Sequence, residues 1–311
     1  MSRTALYADG DQGGHVPGYQ ILDEIDQGWL APVYRARQES LDRIVVLHSA
    51  APAAPRVCHR DAERVRLRIV GAILGRLRHP NIVQVYDRFE HAGRAYLVLE
   101  YVGGGSLADL WRAEPLPYAA AAALMEHVAR ALAYVHRAGV VHRGLTPRNI
   151  LLAAPPLEAD AQVTDTGCER VLGFPKLSGF DLAKDAKIPE SALEPGIIVG
   201  TPVFMAPEQA AGREDSIGPA TDVFAAGIVL YRILTGRTPW EEQGDDAFRL
   251  LQQIIAGCVI PPRKRNPKIP RALEGICLKC LEQDPARRDD ARTLAANLRG
   301  FVNRFTKRTW F

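Results

Sequence analysis

Long apolar runs are missing from this chain of 311 residues. No uninterrupted hydrophobic stretch reaches the ~20 residues of a bilayer crossing, and residues 1–18 lack the apolar centre of a secretory signal. With neither signal, the expected location is cytoplasmic. Cysteine is scarce as well, and five copies, an odd number, do not make a disulfide framework. A dominant charge is also lacking: 39 basic against 36 acidic side chains leave a net charge of +3. That is too small to argue for nucleic acid or a membrane as partner. What is present is ordinary for a soluble globular protein, with 47% hydrophobic and 24% charged residues. The length suffices for one large domain or two lobes.

Cys277 and Cys280 form C-L-K-C inside an apolar-periodic segment, I-C-L-K-C-L-E, with no second Cys or His pair nearby. A structural zinc site takes about four ligands, so buried packing is the expectation for this pair.

Residues 1–17 carry Gly and Asp with little apolar content and are expected to be a flexible leader. Tyr19–Ile25, Val33–Ala36 and Ile44–Leu47 read as strands, and A-P-A-A-P over Ala51–Pro55 breaks the chain. A helix is predicted from Arg60 to Leu77, with Val65, Ile69, Ile73 and Leu77 on one face. Ile82–Asp87 and Ala95–Glu100 are two more strand candidates, ahead of Gly103-Gly104-Gly105. Helical patterns then dominate at Tyr118–Ala138, Val223–Leu234, Ala272–Gln283 and Ala291–Val302. Strands first and helices after give an α+β fold in two lobes.

Several motifs follow one another in a telling order. Y-Q-I-L-D-E-I opens at Tyr19, H-P-N-I-V-Q-V-Y at His79, and Y-L-V-L-E-Y-V-G-G-G-S-L at Tyr96. V-V-H-R-G-L-T-P-R-N-I-L-L starts at Val140, G-T-P-V-F-M-A-P-E at Gly200, T-D-V-F-A-A-G at Thr221 and D-P-A-R-R at Asp284. Over roughly Gly18 to Val302 the chain resembles the bacterial serine/threonine protein kinases of the eukaryotic (Hanks) type. The resemblance implies a kinase-like domain over 18–303, with a small β-rich N-lobe at 18–101 carrying one main helix and a helical C-lobe at 106–303. Residues 304–311 then form a basic and aromatic tail. It also implies structural roles for His142, Arg143, Phe180, Glu208, Asp222 and Arg288. Glu208 and Arg288 match a buried ion pair, and Asp222 matches a central-helix carboxylate that binds the catalytic-loop backbone.

The catalytic positions depart from that pattern. The family loop is H-R-D-L-K-P-x-N, in which Asp accepts the substrate proton and Lys steadies the phosphate. Here Gly144 stands at the Asp and Thr146 at the Lys. The strand lysine that grips the α- and β-phosphates is replaced by His48, an imidazole shorter than a lysine stem. Counting nine residues back from His79 puts Val70 at the helix glutamate that pairs with that lysine. Of the three phosphate-loop glycines only Gly28 survives, with Asp26 and Ala31 at the other two positions and Pro32 removing a donor. By resemblance Gly28, Val33, Val46, Leu99, Asn149 and Leu151 would line a degenerate nucleotide cleft, where Val46 is bulkier than the usual alanine.

The metal aspartate has two candidate alignments. K-L-S-G-F-D-L-A-K from Lys176 puts Gly179 there, leaves 20 residues between Phe180 and Gly200, and makes 153–174 an inserted or expanded hairpin. Q-V-T-D-T-G-C-E-R from Gln162 puts Asp165 there, 16 residues after Asn149. Asn149, Asp165 and Asp181 are the second-rank metal candidates, and Ser191 is a candidate phosphoacceptor for Arg143.

The expected function is a kinase-like domain that is catalytically inactive, a pseudokinase serving as scaffold or allosteric partner, with no cofactor. The alternatives are an atypical active serine/threonine kinase using ATP and Mg²⁺, or a nucleotide sensor without turnover. Expected partners are proteins, such as an active kinase or another signalling protein. Nucleic acid and a transmembrane segment are not expected. The C-terminal tail, with Phe301, Phe305, Trp310 and Phe311 among Arg299, Arg304, Lys307 and Arg308, offers a route to a partner groove or an anionic membrane surface.

Overall fold

Period-two burial shapes the first hundred residues. In the strand Arg43–Ser49, Val45 and Leu47 are fully buried, while Ile44 between Arg43 and Val45 is exposed. The computed structural model describes residues 15–26, 32–50, 59–110, 116–153, 173–188, 200–240 and 246–308, with 15, 59–62 and 305–308 as backbone only. The chain divides into two compact units, residues 1–71 with 85–101, and residues 72–84 with 102–311.

In the first unit, β1 (His15–Val16), β2 (Tyr19–Asp26), β3 (Val33–Gln38), β4 (Arg43–Ser49), β5 (Val85–His91) and β6 (Arg94–Glu100) form one antiparallel sheet in the order β1-β2-β3-β4-β6-β5. Its core is Val16, Tyr19, Ala36, Val45, Leu47, Tyr96 and Val98. Phe89 stacks on Tyr19 at 5.3 Å and on Tyr96 at 5.1 Å, and such pairs add ~0.5–1.5 kcal/mol each beyond burial.

Helix α1 runs over His59–Arg76. Its buried face is Leu67, Val70, Ile73 and Leu74, continued by Leu77, whereas Val65 is 44% exposed. The expected line of Val65, Ile69, Ile73 and Leu77 therefore needs correction. Residues four apart drift by ~40° per step around a helix of 3.6 residues per turn, so three steps carry Val65 off the buried stripe. The leader is shorter than expected: His15 and Val16 pair with Gln20 and Tyr19 across a turn at Gly18.

The second unit takes residues 72–84, which the N-lobe boundary had placed with the sheet. They are tied here by Asn81 Nδ2 donating to the Pro175 carbonyl at 2.8 Å, by Val83 N–H to Leu177 O at 2.9 Å, and by Arg78 N–H to the Tyr134 hydroxyl at 3.1 Å. The unit continues as α2 (Leu107–Leu110), α3 (Tyr118–Arg137), β7 (Val140–Val141), β8 (Ile150–Ala153), β9 (Phe174–Leu177) and β10 (Lys184–Asp185). Then come α4 (Pro207–Ala210), α5 (Pro219–Thr235), α6 (Ala247–Ala256), α7 (Pro262–Arg265), α8 (Arg271–Cys280) and α9 (Ala291–Arg308).

Helix α5 is apolar on every side and buried from Thr221 to Tyr231, the pattern of a central helix. It begins with Pro219 at its first turn and ends at Gly236 with φ +71°, the usual asymmetry of helix ends. Gly227 lets α8 approach: a Cβ there would lie 2.6 Å from the Cβ of Cys280. The Cys277 thiol points at the Gly227 carbonyl, 3.6 Å away. Burial pushes the Cys280 thiol up to about 12 and the Cys277 thiol well above its ordinary value. Both cysteines are packing groups whose reactive thiolate is suppressed.

Helix α9 packs on α3, and Arg299 pairs with Glu126 across that contact. Phe301 and Val302 are buried. The tail expected from residue 304 is helical through Arg308, and Arg299 and Phe301 are already engaged within the unit, so they do not serve as free tail contacts. Residues 309–311 lie outside the described set. Among the described residues no helix is long and apolar enough to cross a membrane.

Candidate functional site

The loop after β7 is held by one carboxylate. Asp222, in the first turn of α5 and 1% exposed, accepts the His142 N–H through Oδ2 and the Arg143 N–H through Oδ1, each at 2.8 Å. His136 Nε2 lies 2.8 Å from the same Oδ2. Burial opposes the charged form, but the His136 hydrogen bond and charge, with the His142 N–H, hold the carboxyl below its usual range. These bonds fix Arg143 at φ +59°, a left-handed backbone that costs a non-glycine residue ~1–2 kcal/mol. Gln209 adds a third tie by donating to the Arg143 carbonyl at 3.1 Å.

The His142 side chain is fully buried and its neighbours select the tautomer. Gly144 N–H donates to Nδ1 at 3.2 Å, so Nδ1 must be bare, and Nε2 faces the Ser178 carbonyl at 2.9 Å, so it carries the hydrogen. Burial accordingly pulls the His142 pKa down. Its ring packs on Phe180 at 4.6 Å between centroids.

Strands β8 and β9 form a hairpin in which Ile150 faces Leu177 and Ala153 faces Phe174. Residues 154–172 between them, including Asp165, lie outside the described set. Directly after β9, Gly179 takes the left-handed conformation, with φ +71° and ψ +44°. A Cβ at that position would overlap the amide group of Asn149. Asn149 in turn donates from Nδ2 to the Gly144 carbonyl at 2.7 Å, and its own carbonyl accepts Ser178 N–H at 2.9 Å. Gly144, Asn149, Gly179 and Phe180 thus meet beside His142, while Thr146 is buried in the same loop. Asp181 sits in the following turn, Phe180–Leu182, where its charge reaches the His142 ring.

Glu208 and Arg288 are joined as expected, with both side chains fully buried. The contact is bidentate, Nη1 to Oε1 at 2.7 Å and Nη2 to Oε2 at 2.9 Å. Thr221 Oγ1 donates to the same carboxylate at 2.8 Å. The guanidinium also donates to the carbonyls of Ala220, Glu282 and Gln283. All five guanidinium donor bonds are made and both carboxylate oxygens accept, the condition under which a buried pair is tolerated.

In the first unit, His48 is buried on β4 opposite Val33, and Val46 lies opposite Leu99. Val70 is 2% exposed on α1. Gly28 lies outside the described residues, and Leu151 sits in β8 opposite Lys176. Sequence reasoning missed His136, Ser178, Gln209, Glu214 and Thr221. All but Ser178 reach the loop or its brace through side chains from distant parts of the chain, and no local pattern marks such groups. Arg143 was expected to receive a phosphate on Ser191. It has Glu214 at 3.3 Å, and Ser191 is outside the described residues.

Residues 19–297 match the model of the protein kinase domain. The chain belongs to the protein kinase domain family. Similar proteins include the serine/threonine-protein kinase Pkn1 of Myxococcus xanthus, 31% identical over 86% of this chain and 36% of that protein. The DNA damage-responsive serine/threonine-protein kinase RqkA of Deinococcus radiodurans is 32% identical, covering 92% and 40%. PknB of Mycobacterium leprae is 30% identical, covering 87% and 40%. The chain therefore spans well under half the length of these relatives. This kinase domain has the family's sheet-bearing and helical parts, with Gly144 in the loop after β7 and Gly179 directly after β9.

Proposed function

We propose that this kinase domain is a pseudokinase, a folded kinase scaffold that works by binding a protein partner rather than by phosphoryl transfer. One observation carries the reading: the Asn149 amide fills the space a side chain at Gly179 would need, and its Nδ2 is spent on the Gly144 carbonyl. The metal carboxylate and the metal-contacting amide of the family pattern are thus lost to each other.

Magnitudes point the same way. Loss of a general base at Gly144 costs ~10²–10⁴ in rate. A missing electrostatic stabiliser at His48 or Thr146 costs ~10²–10³ more. Against kinase turnovers of ~1–100 s⁻¹, two such losses leave ~10⁻²–10⁻⁷ s⁻¹, before the missing partners at positions 70 and 179 are counted. Mg²⁺ requires charged oxygen ligands, and the residues around position 179 do not fit it, since Asp181 is the carboxylate of that turn and Asn149 is neutral. Among the described residues no group of three or more His, Cys, Asp or Glu could hold a metal ion.

An ATP and metal titration on the purified chain tests the proposal. The expected outcome is no phosphate incorporation with Mg²⁺ or Mn²⁺ and no rise in melting temperature at millimolar ATP. A nucleotide bound at 100 times its dissociation constant would add ~2.7 kcal/mol, a visible shift. Incorporation abolished by Asp181→Ala or Asp165→Ala would establish the active-kinase alternative, and a shift without incorporation would establish a sensor.

A further inference from the structure

Helix α3 carries a stripe of cations and aromatics that neither the loop nor the brace uses. His127, Arg130, Tyr134 and Arg137 follow at intervals of three, four and three residues, which puts them on one side of the helix. Around Tyr134 the stripe closes with the segment that precedes β5: His79 packs against its ring at 5.2 Å between centroids, and the Arg137 guanidinium lies 5.9 Å from the ring centre. Strand β9 supplies the other border. Phe174 and Lys176 alternate with buried Pro175 and Leu177, so they share the outward side, and Phe174 meets His127 edge-on at 6.3 Å. Arg78, Arg130 and Arg137 are exposed.

The cations act on one another. Burial and then the charges of Arg130, His127, Arg137 and Lys176 lower the His79 pKa. Glu126, the residue before His127, pairs with Arg299, and its other oxygen lies 3.9 Å from His127 Nδ1. Arg130, Arg137 and Lys176 place three basic side chains around His79.

We propose that this surface, formed by α3, β9 and residues 78–79, docks an acidic segment of a protein partner. Arg130 and Arg137 along the ~15 Å of ten helical residues, with Lys176 on β9 beside them, suit a few carboxylates. Duplex nucleic acid would present about nine phosphates in that length, at one per ~1.7 Å. A membrane would need exposed apolar side chains to insert, and the exposed large hydrophobic residues of the described chain, such as Phe248, Leu41 and Val65, are on other elements. Tyr134 and Phe174 provide the half-buried aromatic contacts that favour a peptide backbone over free counter-ions. The inference is independent of whether the domain transfers phosphate.

The test is fluorescence anisotropy of a labelled decapeptide of alternating Glu and Gly, titrated with the full chain at low salt. Arg130→Ala with Arg137→Ala should weaken binding about tenfold and flatten its salt dependence. Arg213→Ala with Arg287→Ala, on another part of the unit, should leave binding unchanged. Lys176→Gln, a single change, should weaken it by a smaller factor and serves if the double variant melts early. The proposal is overturned if the peptide does not bind, if both double variants lose binding equally, or if a DNA duplex or phosphatidylserine vesicles bind more tightly through the same residues.

Discussion

Gly144 and Gly179 face each other, with a Cβ on the first standing 3.6 Å from the carbonyl oxygen of the second, yet the two are not equivalent vacancies. Around Gly144 a Cβ would meet Leu182 and Gly179 only at ordinary contact distances of 3.5–3.7 Å, with no left-handed backbone to oppose it. Around Gly179 both the backbone and the Asn149 amide exclude a side chain. One position has room for a side chain, and at the other the packing and the backbone exclude one. In the same unit, Asp222 holds the loop backbone and Glu208 holds Arg288 in a bidentate pair. The difference follows from burial. Deleting a half-exposed catalytic group strands nothing, whereas deleting one end of a buried pair leaves an uncompensated charge.

The largest expected effect probes the braced side of this contrast. Glu208→Ala should destabilise the chain by ~3–5 kcal/mol, read by urea denaturation, because Arg288 would remain buried without its anion. A loss under ~1 kcal/mol would mean that the brace is dispensable. Next comes the repacked glycine. Gly179→Asp should cost ~2–3 kcal/mol through overlap and the left-handed backbone, and adding Asn149→Ala should recover part of it. No recovery would detach Gly179 from Asn149.

The third effect is pH dependence. His142 has a folded pKa below the ordinary 6.5, so below that pH the unfolded chain takes up a proton that the native ring refuses. Stability should fall on acidification from pH 7 towards 5, with a contribution of the same sign from His79. Asp222 is depressed below 3.8, so its stabilisation is present above that value and is lost as the pH falls through its lower folded value, beneath this window. In melting curves, His142→Gln should reduce the slope between pH 7 and 5; an unchanged slope would place the titration elsewhere. The smallest effect is that of Gly144→Asp, expected to change stability by no more than ~1 kcal/mol and to bring no phosphate incorporation. Recovered activity would show that this single side chain was all the site had lost.

Much of this was legible before any coordinates. The four sheet strands other than β1 and β5 begin and end within two residues of their expected limits, because alternation such as I-V-V-L at Ile44–Leu47 has no other use. Buried Glu208, Asp222 and Arg288 were legible only because their motifs resemble a family. The α1 face was misplaced because sequence spacing marks an apolar line without saying how far the stripe drifts around the helix. Residues 72–84 were assigned to the wrong unit because their hydrogen bonds to Pro175, Leu177 and Tyr134 span 56 to 94 residues of chain. Phe301 read as a tail aromatic because nothing local announces the α3 face that covers it.

By itself the order of residues determined most of the sheet strands and most of the longer helices, the absence of lysine and carboxylate side chains at positions 48, 70, 144 and 179, and the compatibility of the chain with a kinase domain. These are properties of side-chain chemistry and local period. Only tertiary structure decided that Asn149 closes over Gly179, that His142 is held neutral between Gly144 and Ser178, and that α3 and β9 gather cations into one surface. Such outcomes depend on excluded volume and electrostatics between segments that meet only when the chain is folded.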